Sequence, residues 1–495
     1  MILSQKKSDW VSVITTLLLF TAGCTVGPDF VKPSPPDSTA GYTTKPLSTT
    51  DSTANLSGGS AQRFIEDSDI SGEWWALFQS KPLNALIELS LKNNPDLKAA
   101  QAALTAAQEN FLAQRSALYP SAAGNFSASR SKTASEISPT PNSGDVYFSL
   151  FTPQVSVSYV PDVFGLYRRT AELFKAQAEQ IRFALIAAHI TVSANVAAAA
   201  IQEASLRAQI DATRQLITIN SDMVEILHKQ FEKGYVGRLE VAEQESQLAQ
   251  ITATLPPLEK QLAQQRNLLA MLSGNFPNQD LSETFSLSSL QLPQELPESI
   301  PSKLVERRPD ILQAEENLHA ASAQIGIAEA NRLPLITLTA DIGSMALNPA
   351  TLFKGGTGIW DMAANATQPI FEGGKLLHQE RAAKAAYTQA AEQYRSTVLN
   401  AFRNVADVLQ ALEQDAATLK ASADANNAAE MTLDLARKQW QAGYTNYLAL
   451  LNAEQTYQDA VISLVQARAN RYADTAALFF ALGGGWWNRE DVPKN

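Results

Sequence analysis

The chain has 495 residues, of which 45% are hydrophobic and 18% are charged, and its formal net charge is −11. This acidic balance argues against a nucleic-acid partner, because proteins that bind nucleic acids need a basic face. The mean hydropathy of −0.14 excludes a polytopic helical membrane protein. This value does not exclude a β-barrel, because a barrel directs only alternate residues toward lipid. The single cysteine excludes an internal disulfide framework and a multi-cysteine zinc site.

The N-terminus has the pattern of a bacterial secretory signal. A lysine pair precedes the apolar run 11–20, which is too short to form a stable transmembrane helix. Small residues then precede Cys24, and the segment resembles a lipobox in which Thr21 replaces the usual leucine. We therefore predict a signal peptide over 1–23 and Cys24 as the mature N-terminus, carrying diacylglycerol and an N-acyl chain. By analogy, Thr25 favours sorting to the outer membrane. A cleaved signal with an unmodified cysteine is the alternative.

Most of the remaining sequence is a tandem repeat. The motif Asn-Pro-Asp-Leu at 94–97 recurs as Arg-Pro-Asp-Ile at 308–311, and Gly234-Tyr235 recurs as Gly443-Tyr444. Several matches in the same order indicate one structural unit used twice. The predicted divisions are a Pro-, Ser-, Thr- and Gly-rich lipid-anchored tether at 24–62, repeat 1 at 63–301, repeat 2 at 302–484 and a C-terminal tail at 485–495.

Each repeat has the same predicted order of elements. A helix with apolar spacing near 3.6 comes first, two strands with period-2 alternation follow, and a long helical hairpin comes last. In repeat 1 an equatorial linker follows the hairpin, and Pro256-Pro257 is predicted to break its returning helix. The predicted helices are 83–119 and 302–333, the strand pairs are 121–161 and 335–371, and the hairpins are 164–274 and 374–482.

Four strands per chain cannot close a barrel, and open strand edges are not tolerated in lipid. Two chains would supply eight strands and three would supply twelve, and geometry alone does not choose between them. The first helix of each hairpin is about 100 Å long at 1.5 Å per residue, too long for the core of a compact domain. We therefore predict a hollow helical tube that continues a membrane pore across the periplasm. A soluble alanine-rich rod would explain the helices but not the strands.

The sequence resembles TolC-like outer-membrane factors, in the lipoprotein branch of NodT type that serves resistance-nodulation-division efflux pumps. The resemblance covers nearly all of the mature chain and rests on CTVGPDF at 24–30, RRPD at 307–310, PIFEGG at 369–374 and the two glycine turns. It implies a mixed membrane α+β fold: a homotrimer with a 12-stranded β-barrel, four strands per chain, continuous with a long α-helical barrel. It also implies an outer-membrane, lipid-anchored location extending into the periplasm.

The same resemblance implies a tripartite efflux pump with a periplasmic adaptor (membrane fusion) protein and an inner-membrane transporter. The chain would carry small toxic molecules outward without catalysis and without a cofactor. Its four histidines lack the spacing of metal ligands, and no G-x-S-x-G motif occurs. Two alternatives are a channel for type I protein secretion and a non-conducting, lipid-anchored helical scaffold.

By the same resemblance, the periplasmic gate lies at the turn of the second hairpin. Leu448 matches the family's apolar ring residue, and Asn452 stands where an acidic residue is common. Because the usual charges are missing there, we predict closure by apolar packing and hydrogen bonds. Glu240 and Glu243 occupy the corresponding positions of repeat 1, either as acidic groups at the mouth or as solvated helix carboxylates.

The adaptor would dock at the same end of the molecule. Gly234 and Gly443 are predicted to end helices with a positive φ, which is ordinary turn chemistry. Tyr235 and Tyr444 follow them in both repeats and are better candidates for contact with a partner.

Overall fold

The computed structural model describes residues 25–34, 41–43, 49–53, 56–134, 146–279, 281–298, 301–490 and 492. The predicted signal peptide, Cys24, and parts of the tether, of the loop between the first two long strands and of the tail lie outside these residues. The chain forms two compact units. The first takes its described residues from Met1–Pro33, Leu104–Ile181 and Ala314–Tyr394, and the second from Ser34–Ala103, Arg182–Gln313 and Arg395–Asn495.

The α-helices repeat in order and in length. Two helices precede a strand pair in each half, and a hairpin of a 67-residue and a 35-residue helix follows it. This arrangement confirms the predicted tandem repeat. The helices are α1 (Lys81–Asn93), α2 (Pro95–Arg115), α3 (Leu166–Glu232), α4 (Arg238–Leu272), α5 (Pro301–Arg307), α6 (Pro309–Ala330), α7 (Lys375–Gln441) and α8 (Tyr447–Ala481).

The strands form two sheets. A short parallel pair joins β1 (Arg63–Glu66) to β4 (Glu295–Glu298). The main sheet is antiparallel, with β3 (Val146–Tyr159) and β5 (Leu335–Ser344) as its inner strands and β2 (Ser121–Thr133) and β6 (Gly358–Thr367) at its edges. The two predicted strands of each repeat are therefore confirmed, and both pairs lie in one sheet.

The first helix of each repeat is interrupted, and the prediction of one continuous helix over 83–119 or 302–333 is wrong. The breaks fall at Asn94 and Arg308, each directly before a proline. A proline disfavours helical backbone in the residue before it and has no N–H to donate. The Asn94 side-chain oxygen instead accepts from the Asp96 N–H at 2.9 Å, so it caps the helix that follows.

The prediction that Pro256-Pro257 breaks the returning helix of repeat 1 is also wrong, because α4 runs through both prolines. The φ of proline suits a helix, but each proline removes the hydrogen bond to the carbonyl four residues earlier, of Thr252 or Ala253, and its ring crowds that carbonyl. All four residues lie on the exposed side of the helix, where no close packing is disturbed. The packing of neighbouring turns, including buried Ile251, holds the helix together.

Aromatic side chains organise the core of the second unit. Trp74 is fully buried and stacks on Phe479 of α8, with ring centroids 5.3 Å apart. Trp75 and Phe78 lie beside it, and Trp74 contacts both edge to face. These tryptophans therefore pack in a protein core and not against lipid.

One described helix, α3, is long and apolar enough by composition to cross a membrane, with a window of mean hydropathy 1.8. Because 56% of that window is buried inside the protein, packing against other helices accounts for its apolar character.

Candidate functional site

The two long hairpins turn with the same backbone geometry. Gly234 and Gly443 have φ of +74° and +76°, and the N–H of each donates to the carbonyl three residues earlier at 2.9 and 3.0 Å. The backbone N–H groups of the next residues, Tyr235 and Tyr444, each donate to the backbone carbonyl five residues earlier at 2.9 Å. A Cβ at either glycine would meet nothing within 4 Å. The positive φ, and not lack of space, therefore favours glycine at both turns.

The tips of the two hairpins pack together. One apolar cluster draws on α3, α4, α7 and α8, all within the second unit, and we call it the tip core. Val236, Trp440 and Leu451 pack against its edge. Its buried members are Met223, Leu227, Val241, Leu433, Tyr447, Leu450 and Ala453.

A buried polar network crosses the tip core. The Tyr447 hydroxyl donates to the side-chain carbonyl of Gln244. The Gln244 amide donates to Asn220 Oδ1 at 2.8 Å and lies 3.5 Å from Glu454 Oε2. The Asn220 amide donates in turn to the Leu216 carbonyl at 2.8 Å. The network joins α3, α4 and α8 by directional bonds, which specify one arrangement of the tip more narrowly than apolar contact does.

Glu454 is the charged member of this network. It is 4% exposed, and its Oε1 has no hydrogen-bond partner among the described residues. Burial raises the pKa of Glu454, and the charge of Arg437 and the Gln244 contact oppose that shift. Burial also raises the pKa of Tyr447, as do the carboxylates of Glu454, Glu243 and Glu240, so its hydroxyl keeps the proton that it donates.

The predicted gate residues lie in two different settings. Leu448 is 54% exposed and Asn452, one turn later on α8, is also exposed, so both are free of the tip core. Glu240 and Glu243 are half-buried on α4, close enough to Tyr447 to influence its pKa. Among the described residues, no group of three or more His, Cys, Asp or Glu side chains could hold a metal ion.

Sequence reasoning did not find Asn220, Gln244 or Tyr447 as functional candidates. One signal was available: Gln244 occupies an apolar-periodic position of α4, between buried Val241 and Ile251. A polar residue at such a position indicates a buried hydrogen bond.

The predicted docking tyrosines are both at the surface, with Tyr235 77% and Tyr444 86% exposed. Next to the tip core, α4 and α8 border an open groove of about 310 Å³. Gln455 donates to Gln247 at 3.2 Å across the two helices, and Glu243 also lines the groove. The groove therefore presents amides and one carboxylate beside apolar contacts.

The main sheet has one polar face. Ser156 pairs with Asp341 in the register of β3 and β5, and Asp341 pairs with Asp361 in the register of β5 and β6. Ser156 donates to the Asp341 carboxylate, and the Gln154 amide donates to it at 3.3 Å. Asn125 donates to Ser156 at 3.2 Å on the same face. Hydrogen-bonding side chains therefore cross from β2 to β5.

The opposite face of the sheet is apolar. Val155 pairs with Ile342, and Ile342 pairs with Trp360. Ile342 and Trp360 are 67% and 76% exposed, and Phe126 and Met362 of the same face are similarly open. A polar face and an exposed apolar face on one antiparallel sheet are typical of a membrane barrel, with water inside and lipid outside.

Comparisons with known proteins agree with this architecture. Residues 86–275 and 300–484 match the model of the family described as outer membrane efflux protein. The chain is 30% identical over 493 residues to the toluene efflux pump outer membrane protein TtgF of Pseudomonas putida, covering 98% of this chain and 99% of the relative.

Solved structures show the same fold. The outer-membrane channel OprN matches with a TM-score of 0.83 at 24% identity, over 94% of this chain and 100% of that chain. The outer membrane protein VceC of Vibrio cholerae matches with a TM-score of 0.80 at 28% identity, over 84% of this chain and 100% of that one. The predicted resemblance and fold class are confirmed. The chain belongs to the outer membrane efflux protein family and is the outer-membrane channel component of an efflux system.

Proposed function

We propose that three copies of this chain form a passive conduit that carries small toxic molecules from the periplasm to the exterior. The observation that carries the proposal is the main sheet, with one polar face, one apolar face and unpaired edges at β2 and β6. Four strands do not close a barrel, and lipid does not tolerate open edges, so further copies must pair with both edges. Three copies give twelve strands, which is the assembly that the family resemblance implies.

The hairpin tips form the gate in this proposal. Leu448 and Asn452 are exposed on one face of α8, outside the tip core, and Leu448 can form an apolar ring there with its counterparts in the other copies. The buried bonds of Tyr447 and Gln244 hold the two hairpins of one chain together behind that face. Opening must therefore either break these bonds, by moving the second hairpin away from the first, or carry both hairpins outward as one body.

A periplasmic adaptor protein and an inner-membrane transporter complete the pump. The groove between α4 and α8 and the exposed tyrosines at both turns support docking of an adaptor at the tips. Tyr235→Glu and Tyr444→Glu together should abolish efflux while trimers still assemble and insert, and the matched Phe variants should keep activity. Normal drug resistance with both charges present would contradict docking at the turns.

Two measurements test the conduit itself. Purified protein in planar bilayers should give discrete conductance steps from trimers, and their absence would support a non-conducting scaffold. A deletion strain should become sensitive to small toxic compounds and regain resistance with the gene restored. Loss of a secreted protein without any change in susceptibility would favour type I secretion instead. The name of TtgF, a toluene efflux protein, supports small-molecule transport.

We also propose that Cys24 carries lipid, on the strength of the signal that precedes it. Mass spectrometry of the mature N-terminal peptide should show acyl chains, and Cys24→Ala should abolish palmitate labelling. An unmodified cysteine in the mature protein would contradict this assignment without affecting the conduit.

A further inference from the structure

The segment that follows Cys24 lies in a close-fitting site on the first unit. The Val26 N–H donates to the Phe164 carbonyl at 3.2 Å. Gly27 has φ of +88°, and a Cβ there would lie 2.3 Å from the Gly326 Cα of α6. The segment therefore touches helix backbone directly, and two glycines facing each other permit that approach.

Arg169 of α3 donates hydrogen bonds to the segment. Its guanidinium donates to the carbonyls of Val26 and Gly27, each at 3.1 Å, and to the Asp29 carboxylate at 2.8 Å. It also pairs with Glu172 on its own helix at 2.7 Å. Arg169 is 3% exposed. A buried guanidinium needs its donors satisfied, and this segment supplies three of the acceptors.

His319 of α6 holds the aromatic residue of the segment. Phe30 stacks on its ring, with centroids 4.4 Å apart and an interplanar angle of 13°. His319 Nε2 lies 3.0 Å from Glu172 Oε1, and His319 Nδ1 lies 3.2 Å from Glu316 Oε2. Carboxylates accept hydrogen bonds and do not donate them when ionised, so only the doubly protonated imidazolium satisfies both contacts. That cation also attracts the face of Phe30.

We propose that α3 and α6 form a proton-dependent dock for Thr25–Lys32, in which His319 is the positioning residue that responds to pH. The dock fixes where the lipid-anchored end of the chain lies on the first unit. It does not depend on lipid at Cys24, so the two proposals fail independently.

Charged and titratable groups from several elements surround His319 and determine how the dock responds to pH. From α3, Glu172 contacts the ring and is itself paired with Arg169, and α6 contributes Glu316, which contacts the other ring nitrogen. The segment contributes Asp29, paired with Arg169, and Lys32, paired with Glu315 at 3.1 Å. On α7, burial raises the pKa of Tyr394, and the nearby charge of Glu315 raises it further.

The hydrogen bonds of His319 to Glu316 and to Glu172 raise its pKa, and burial acts in the opposite direction. Those bonds lie within α3 and α6 and do not involve the segment. What the segment adds is the face of Phe30, which attracts the imidazolium and so favours the protonated ring in the docked state. The stabilisation of the dock is therefore fully present below the pKa that His319 has without the segment, and it is lost as pH rises through the pKa of the docked state.

Amide hydrogen exchange on the full-length protein tests the dock between pH 5.5 and 8.5. Rates for the peptide spanning 25–34 are divided by those of the free synthetic peptide, which removes the intrinsic pH effect. Protection should fall with rising pH, by up to about tenfold for each unit by which docking raises the pKa of His319. Protection that is constant with pH in the wild-type protein would overturn the proposal.

Two substitutions separate proton sensing from packing. His319→Gln should lower protection at pH 5.5 and remove its pH dependence, and His319→Arg should keep protection high across the range because its charge is permanent. Phe30→Ala perturbs only the segment and should lower protection without affecting the helices. His228→Gln removes another histidine paired with a glutamate, 3.1 Å from Glu245, and should change nothing at 25–34. If His319→Gln retained the wild-type pH dependence, the proton would be sensed elsewhere.

Discussion

The Tyr447 hydroxyl donates a hydrogen bond to the side-chain carbonyl of Gln244, and so ties the second hairpin to the first. In the alignment of the two repeats, Arg238 is the equivalent of Tyr447, and Ala453 is the equivalent of Gln244. The equivalent pair, Arg238 and Ala453, therefore cannot form the same bond. The two hairpins have equal helix lengths, yet their connection depends on residues in which the repeats differ.

Tyr447→Phe should loosen the tip. The substitution leaves the buried Gln244 carbonyl without its donor, and an unsatisfied buried acceptor costs about 1–3 kcal/mol. We expect faster amide exchange in α8 near the turn and a higher trimer conductance in planar bilayers. Tyr444→Phe, at an 86% exposed position, is the matched control and should leave both unchanged. Wild-type exchange and conductance in the Tyr447 variant would show that the bond does not restrain the tip.

Leu448→Ala should widen the closed gate. Leu448 is free of the tip core, so its truncation removes apolar contact between copies without creating a cavity inside one chain. Conductance of trimers should increase, and cells should become sensitive to large antibiotics that normally do not leak inward. Leu239→Ala, the equivalent position of repeat 1 at 68% exposed, should have little effect. Unchanged conductance would remove Leu448 from the gate.

Asp341 and Asp361 should make the pore prefer cations. They oppose each other on the polar face of the sheet, and three copies would place six carboxylates at one level of a water-filled barrel. The double Asn variant should shift the reversal potential in a KCl gradient toward zero. The double Glu variant keeps the charge and should keep the selectivity. An identical reversal potential in the Asn variant would place the selectivity elsewhere.

Asp415→Asn should stabilise the protein increasingly as pH rises from about 4 to 7, and should have no such effect below that range. Burial first, and then Asp474, raise the pKa of Asp415 to about 7, and Arg471 opposes this shift. Because the native value exceeds the unfolded value of about 3.9, stability is lost as pH rises from about 4 to 7.

Thermal unfolding in detergent provides the measurement. The melting temperature of the Asp415 variant should match the wild type near pH 4 and exceed it at pH 8. Asp434→Asn, at an exposed position on α7, should give no such pH-dependent difference. An equal gain at both pH values would mean that the Asn acts through packing and not through the proton.

The sequence determined the repeat, the strands, the long hairpins and the two turns, because each has a local physical signal. Period-2 alternation marks strands, a glycine at a helix end marks a positive φ, and matching motifs mark a copied unit. A proline has no single structural outcome in this chain. Asn94 and Arg308 end helices because a proline follows each, and yet Pro256 and Pro257 lie within α4 because neighbouring turns pack around them.

Only the tertiary structure decided which polar residues meet. Tyr447, Gln244 and Asn220 come from three helices, and His319 contacts Phe30 and Glu172, which are both more than a hundred residues away in the sequence. Nothing in local spacing encodes such pairs, because they depend on which helix faces pack and on how far a buried side chain reaches. The same holds for Glu245 and Glu454, which the repeat makes equivalent: Glu245 is half-buried beside His228, and Glu454 is buried in the polar network of the tip. A copied sequence position keeps its secondary structure, but its surroundings, and therefore its charge state and its role, come from the fold.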